Sequence, residues 1–224
     1  MAAKKGRPTE TRAARRREKL AEIQRQQKRK ERLRNALTGG AVAAAVIAII
    51  VPAIIVSQRS RAESDRASTA LASDVQTYTV TAGHEIGELE YEQTPPAGGN
   101  HNPVWLNCGI YDVPVPSENA VHSMEHGAAW VTYRPDLAAS EVDELRAAMP
   151  SSYAILSPFP DLPSPVVASA WGRQLMLDGA DDPRLEAFLR EYVQGSQAPE
   201  PGASCSGGSD GSLPLDLSGG MVQR

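Results

Sequence analysis

The stretch AAWVTY, residues 128–133, is the clearest structural signal in this chain of 224 residues. A short apolar run rich in aromatic and β-branched residues is typical of a buried β-strand. Residues 137–149 follow it and predict a helix, because Ser140 can cap the start with Asp143 reaching back, and Pro150 stops the end. A strand that leads into a helix indicates a domain built from both kinds of element.

Further elements extend this pattern toward both ends of the chain. Residues 75–81, VQTYTVT, alternate apolar with polar side chains and predict a strand. Residues 153–156 predict a short strand, and residues 166–177 a long one in which a bulge would fall at Gly172. Residues 182–194 predict a second helix, because they begin with Asp-Pro, an N-cap followed by proline at the first helical position.

Together these elements predict one small α+β domain over residues 75–205, with a mixed or antiparallel sheet and two helices. Within it, the proline- and glycine-rich residues 91–107 predict a structured loop. Residues 57–74 are small and polar, and we interpret them as a stalk. Residues 206–224 are rich in glycine and serine, so we expect a disordered tail.

Residues 36–56, ALTGGAVAAAVIAIIVPAIIV, contain no charge and predict a transmembrane helix. As a helix they would extend about 31 Å, which matches the hydrocarbon core of a bilayer. Residues 1–35 carry 14 Lys+Arg and 4 Glu, whereas residues 67–224 carry 6 Arg and 21 acidic residues. The positive-inside rule therefore predicts a single-pass signal anchor, with residues 1–35 as a basic cytoplasmic arm and the folded domain outside the membrane.

The basic arm also bears on possible partners. It lacks interleaved aromatic residues and abuts the predicted anchor, so we expect no nucleic-acid partner. The membrane is the expected partner of the N-terminal part. An envelope protein or a wall polymer is the expected kind of partner for the outer domain.

All four histidines fall in the predicted outer domain, and three of them, His101, His122 and His126, lie within 26 residues. The stretch HSMEHG places its two imidazoles on one side of the chain whether it is helical or extended. Histidine ligands suit copper or zinc, and Met124 and Cys108 could add soft donors that favour copper. We therefore predict a metal-binding protein, with copper as the first choice and zinc as the second.

Two other functions fit the same residues. In a non-catalytic envelope interaction module, the histidines would be structural and would donate to backbone carbonyls. In a zinc hydrolase, His122 and His126 would bind the metal in an H-x-x-E-H motif and Glu125 would activate a water. That motif needs a long helix, and Gly127 follows it at once, so we assign no catalytic residue and keep Glu125 as a weak candidate.

Cys108 and Cys205 are the two cysteines of the chain, 97 residues apart. In an oxidising compartment a structural disulfide is the favoured interpretation. Closing a loop of this length would stabilise the fold by about 4–5 kcal/mol in the chain-entropy model. A free Cys108 thiolate on the metal is the competing interpretation, because a sulfur in a disulfide is a poor ligand.

Two stretches resemble a known bacterial family, the "domain of unknown function 3105" family. They are PPAGGNHNPVWLNCGIYDVPVPSENAVHSMEHGAAWVTYRPDL and LSPFPDLPSPVVASAWGRQLMLDGADDPRLEAFLREYVQGSQAPEPGASC. The resemblance covers about residues 75–205, and actinobacterial members are similar in plan, with a basic N-terminus, one membrane helix and an external domain. The resemblance implies that ten positions here belong to the family pattern: His101, Trp105, Cys108, Gly109, Tyr111, Glu118, His122, Glu125, His126 and Gly127. Leucine is common in the family where Met124 stands, which favours a packing role for that residue. The resemblance implies neither a particular metal nor a reaction.

Overall fold

The computed structural model describes residues 9–212, apart from the side chains of residues 9–13, 36 and 39–47. The chain divides into two compact units, Met1–Ser60 and Arg61–Arg224. Within the predicted membrane segment, residues 36–56, the side chains of residues 36 and 39–47 are among those not described. In the part of the chain that the structure describes, no helix combines the length and the apolar character needed to cross a membrane.

Helix α1, Thr9–Asp74, supplies the described residues of the first unit and contains Pro52. The last part of this helix, residues 61–74, belongs to the second unit. There Ala67 and Leu71 are buried in the hydrophobic core. The segment that the sequence analysis interprets as a stalk is thus helical, and its C-terminal part contributes to the core of the second unit.

The second unit is built on a mixed sheet of six strands in the order β1-β8-β7-β5-β6-β4. Their bounds are β1 Gln76–Thr77, β4 Gly109–Ile110, β5 Ala129–Tyr133, β6 Ala154–Pro158, β7 Val166–Ala170 and β8 Arg173–Leu177. Strands β4, β6 and β5 run parallel, while β7 is antiparallel to β5, and β8 is antiparallel to β7 and β1. Two further short strands, β2 Gly83–His84 and β3 Asn100–His101, pair in parallel as a separate sheet. The predicted α+β class is confirmed, and the sheet is of the mixed kind.

Helices cover both faces of the large sheet. Successive side chains of a strand point to opposite faces, so one strand contributes to the core on each side. In β5, Val131 lies in the core cluster that includes Leu185 and Phe188 of helix α4, Arg184–Tyr192. Trp130, its neighbour, lies in the opposite cluster with residues of helix α2, Ser117–Glu125. Helix α3, Ala139–Ala148, contributes Leu145 to the α4 side. Every residue of β5 is buried, as expected for a central strand covered on both faces.

The predicted long strand over residues 166–177 is wrong, because the chain folds back at Trp171 and Gly172 to form the β7–β8 hairpin. Gly172 has φ +65°, a left-handed conformation that glycine adopts without strain. A Cβ atom at this position would also lie 2.9 Å from the carbonyl oxygen of Tyr78. The glycine thus makes a tight turn possible where an apolar run had suggested continuity.

Other elements differ from the predictions in extent and in capping. Strand β1 is much shorter than the predicted 75–81. Helix α3 begins after Ala138 without a side-chain cap, so Ser140 is not the capping residue. Helix α4 begins after Pro183, so proline stands at the N-cap position, one residue later than predicted, and provides no side-chain cap. Asp182, the predicted cap, precedes it and accepts from the backbone N–H of Arg184 at 3.0 Å. Helix α2 was not among the two predicted helices, because its stretch fitted a helix and a strand equally well.

The C-terminal residues up to 212 have defined contacts, in contrast to the disorder expected from residue 206 onward. Ser209 pairs with Leu106 in an isolated parallel bridge. The backbone N–H of Ser209 donates to the carbonyl of Trp105 at 2.8 Å. A glycine- and serine-rich segment can be held by backbone hydrogen bonds, which leave no trace in side-chain composition. Residues 213–224, the rest of the predicted tail, lie outside the described residues.

Candidate metal centre

Helix α2 is fastened along one face to the loop that the proline and glycine pattern predicts. The Ser123 hydroxyl donates to the carbonyl of Leu106 at 2.6 Å. The side-chain amide of Asn119 donates to the carbonyl of Val104. These two residues are one helical turn apart. His122 and His126 lie three positions after Asn119 and Ser123, respectively, and therefore on the same side of the helix. The loop carbonyls therefore orient a face of α2 that carries both histidines of the HSMEHG stretch.

Helix α2 ends at Glu125, and His126 occupies the C-cap position. Gly127 has φ +95°, and its N–H donates to the carbonyl of Met124 at 3.0 Å. The next N–H, of Ala128, donates to the carbonyl of Ser123 at 2.9 Å. This left-handed glycine closes the helix and turns the chain into β5. The histidine pair is thus held between a short helix and the central strand of the sheet.

The small β2–β3 sheet brings two more imidazoles to this face. In its register His84 pairs with His101, although they are 17 positions apart in the chain. The His101 ring is fully buried and packs edge-on against the Trp171 indole of the hairpin turn, with ring centroids 5.7 Å apart. The His84 and His122 rings are stacked, with centroids 5.0 Å apart.

Four side chains offer donor atoms that all lie within 4.8 Å of one another: His84, His101, His122 and Glu125. The shortest contact joins His101 Nε2 and Glu125 Oε2 at 2.8 Å, and His84 Nε2 lies 4.0 Å from the same oxygen. Four ligands around a zinc ion at ordinary bond lengths stand about 3.3 Å apart. Shifts of about an ångström would therefore suffice to close this group around one ion.

The hydrogen bonds of the rings determine which nitrogen carries the proton. His101 Nδ1 lies 2.8 Å from the carbonyl oxygen of Gly99, and His122 Nδ1 lies 2.6 Å from that of Asn102. His126 Nδ1 lies 2.6 Å from the carbonyl oxygen of Ser204. A carbonyl can only accept, so each Nδ1 is the donor and a neutral ring has its lone pair on Nε2. This arrangement is the usual one for metal-binding histidines, whose other nitrogen donates to a backbone carbonyl.

With these tautomers, two contacts in the cluster bring one acceptor against another. His122 Nε2 and His126 Nε2 face each other at 3.0 Å, and neither neutral ring can donate to the other. His101 Nε2 faces a carboxylate oxygen of Glu125. Among the described residues, this Nε2 is the buried side-chain nitrogen that has no hydrogen-bond partner. Both contacts become favourable only when a cation or a proton stands between the acceptors.

Burial opposes protonation of the His122 ring. Burial lowers the pKa of His122 to about 4, and the nearby rings of His101, His126 and His84 act in the same direction. The hydrogen bond to the Asn102 carbonyl raises this pKa but is outweighed. His122 is therefore neutral at physiological pH, which is the form of histidine that binds metal ions.

Both predicted soft donors, Cys108 and Met124, lie outside the donor group. Cys108 and Cys205 lie at disulfide distance, with Cα atoms 5.3 Å apart, so the favoured pairing forms and the predicted Cys108 thiolate ligand is wrong. Met124 is fully buried in the core cluster with Leu106 and Trp130. Packing against these apolar side chains accounts for its position.

The remaining predicted residues come together, with two changes of role. His101 and His122 belong to the four-donor group, whereas His126 stands outside it. The Nε2 atom of His126 faces His122 Nε2 and lies 3.8 Å from a Glu200 oxygen. Glu125, the weak catalytic candidate, is 5% exposed and belongs to the donor group. His84 was missed, because its neighbours in sequence carry no metal-binding pattern. The one signal available was that all four histidines lie in the same predicted domain.

A family model described as "Protein of unknown function (DUF3105)" matches residues 84–207. The chain belongs to the DUF3105 family. This match begins at His84 and includes both cysteines, so every donor of the cluster and the disulfide lie within the DUF3105 region. Comparison with curated proteins and with solved structures finds no match.

Proposed function

We propose that this DUF3105 domain binds a divalent transition-metal ion between His84, His101, His122 and Glu125. The observation that carries the proposal is the pair of acceptor-to-acceptor contacts, His101 Nε2 to Glu125 Oε2 and His122 Nε2 to His126 Nε2. A buried polar group without a partner costs about 1–3 kcal/mol. One bound cation would remove the first contact outright and would draw His122 away from the second.

The donor set narrows the choice of ion. Three imidazoles and one carboxylate suit zinc or copper(II), whereas thiolate and thioether ligands favour copper(I). The disulfide of Cys108 and the core position of Met124 remove those soft donors. Copper(II) forms tighter complexes than zinc with a given set of nitrogen and oxygen ligands, so we propose copper(II) as the tighter binder and zinc as the second.

We also propose that the chain is anchored in the cell membrane by residues 36–56, with the DUF3105 domain on the extracytoplasmic side. The support is the uncharged stretch of 21 residues and the basic residues that precede it. The Cys108–Cys205 pair is consistent with an oxidising compartment. The metal ion would then be handled at the outer surface of the cell.

The first experiment measures bound metal in the full chain, purified in mild detergent. The protein is stripped with a chelator, dialysed against copper(II) or zinc, and measured for metal per chain. The test variant combines His101→Ala with His122→Ala, and the control is Ile86→Ala, which alters an exposed residue of the same domain. Circular dichroism checks that both variants are folded.

Near-stoichiometric metal in the wild type and in Ile86→Ala, lost in the double variant, would support the site. No retained metal in the wild type would overturn the proposal and leave an interaction module with structural histidines. A zinc hydrolase is the weaker alternative, because Glu125 already lies among the donors and is not free to activate a water.

A further inference from the structure

The four donors differ sharply in their access to solvent. The His84 side chain is 56% exposed, whereas those of His101 and Glu125 are 0% and 7% exposed. His122 and the neighbouring His126 are also buried. The cluster thus has one solvent-facing donor and a closed interior.

His84 is also the donor that the fold holds least firmly. The Nδ1 atoms of His101 and His122 are each fixed by a backbone carbonyl, but no such hydrogen bond to His84 is found among the described residues. Strand β2, which carries it, has only two residues, and His84 lies 4.0 Å from the Glu125 oxygen, compared with 2.8 Å for His101. A side chain held in this way can leave the cluster without disturbing the core.

The surface next to His84 has the charge that attracts cations. Four acidic residues follow it within eight positions, all of them exposed: Glu85, Glu88, Glu90 and Glu92. Exposed carboxylates near a cation site raise the local concentration of cations and increase their rate of association. These acids are not themselves the site, since the buried imidazoles behind His84 provide the donors.

We infer that the metal ion enters and leaves the cluster through His84, so the domain exchanges its ion with ligands outside rather than retaining it permanently. This inference rests on the proposed metal site and adds its direction of access. The bound ion is a divalent transition metal. During transfer, an external chelating molecule replaces the His84 imidazole as a ligand of that ion. The three buried donors hold the ion while that replacement occurs.

The test uses the zinc-loaded full chain in detergent and the coloured chelator 4-(2-pyridylazo)resorcinol. Zinc release is followed by stopped flow at several chelator concentrations, for the wild type, His84→Ala and the matched control Ile86→Ala. Ile86 is two positions away and 67% exposed, so its replacement changes the same surface segment without removing a donor.

The release rate of the wild type is expected to rise in proportion to chelator concentration, because the chelator occupies the position vacated by His84. His84→Ala should weaken zinc binding at least about tenfold, and Ile86→Ala should match the wild type. A wild-type release rate independent of chelator concentration would overturn the inference. An unchanged zinc affinity in His84→Ala would overturn it as well.

A second readout is modification of the metal-free chain by diethyl pyrocarbonate, followed by mass spectrometry of peptides. His84 should react first, and bound zinc should protect it. Rapid reaction of His101 or His122 before His84 would contradict access through His84. If the wild type binds no metal at all, the proposed site itself fails, a result distinct from a site that binds zinc but is insensitive to His84.

Discussion

The domain contains two polar clusters that satisfy their buried groups in opposite ways. Around Arg184, every charge faces a charge of the other sign: its Nε lies 3.0 Å from Asp182 Oδ1, and its Nη1 lies 2.7 Å from Asp74 Oδ2. Around His101, acceptors face acceptors. Among the described residues, Glu125 has ion-pair contacts with imidazoles, at His84 and His101, and with no arginine.

The two clusters differ in whether each acceptor atom has a donor or a cation opposite it. The Arg184 cluster is complete, because the guanidinium donors match the carboxylate acceptors around them. In the histidine cluster acceptors face acceptors, and a bound cation, as proposed above, or a proton would make these contacts favourable.

Loss of the disulfide should have the largest effect on stability. It fastens the segment whose Ser204 carbonyl orients His126, and replacing Cys108 and Cys205 by serine should lower the free energy of unfolding by about 4–5 kcal/mol. Denaturant unfolding of the full chain in detergent measures the loss. The control is Ser206→Ala, next to Cys205, and a loss below about 1 kcal/mol in the double serine variant would contradict the prediction.

Metal should stabilise the domain through the histidine cluster alone. At a free copper(II) concentration a thousand times the Kd, the free energy of unfolding should rise by about 4 kcal/mol. Thermal unfolding with and without metal measures this gain, which His101→Ala should abolish. Asp182→Asn, in the complete cluster, should retain the gain, and its loss there would mean that the stabilisation does not arise at the histidines.

Glu125→Gln distinguishes a metal site from a simple ion pair by the sign of its effect. A glutamine amide can donate to His101 Nε2, so the metal-free chain should be unchanged or about 1 kcal/mol more stable. Its copper affinity should fall at least about tenfold, because the anionic ligand is gone. If Glu125→Gln instead destabilised the metal-free chain by about 1 kcal/mol, His101 would be a protonated partner of Glu125. Glu118→Gln, on the same helix, is the matched control.

The pairing of Asp182 with Arg184 should make the free energy of unfolding depend on pH. Burial raises the pKa of Asp182, but the hydrogen bonds from Arg184 and from the backbone of Asp178 outweigh it and leave the pKa below its usual value. A carboxyl with a lowered folded-state pKa stabilises the fold above its unfolded pKa and loses that contribution as the pH falls through its folded pKa.

Stability should therefore decline below about pH 4, by about 1 kcal/mol or less for this pair. Asp182→Asn should remove that part of the decline in thermal unfolding of the metal-free chain. An identical pH profile in both proteins would show that the Arg184 pairing contributes nothing measurable.

Much of the fold could be predicted because it depends on local pattern. Strand β5 follows from a short run of apolar, aromatic and β-branched residues, and helix α3 ends just before Pro150 as predicted. The Asp182-Pro183 pair marks the start of helix α4, although the helix begins only at Arg184. The β7–β8 turn could not be predicted, since a single glycine within an apolar run fits a bulge and a turn equally well. The ordered residues 206–212 are held by backbone hydrogen bonds to a distant loop, which composition does not record.

The amino-acid pattern alone indicated the α+β class and the membership of His101 and His122 in the donor group, because both depend on residue type and local pattern. It also indicated the cysteine pairing, because the chain contains two cysteines. The recruitment of His84, the exclusion of Cys108 and Met124, and the inclusion of Glu125 as a donor depended on the fold. Parallel pairing of two short strands set His84 beside His101, and the fold brought this pair against the Glu125 carboxylate of helix α2. Contacts between residues far apart in the chain arise from strand register and helix orientation, and neither is recorded in the spacing of the residues themselves.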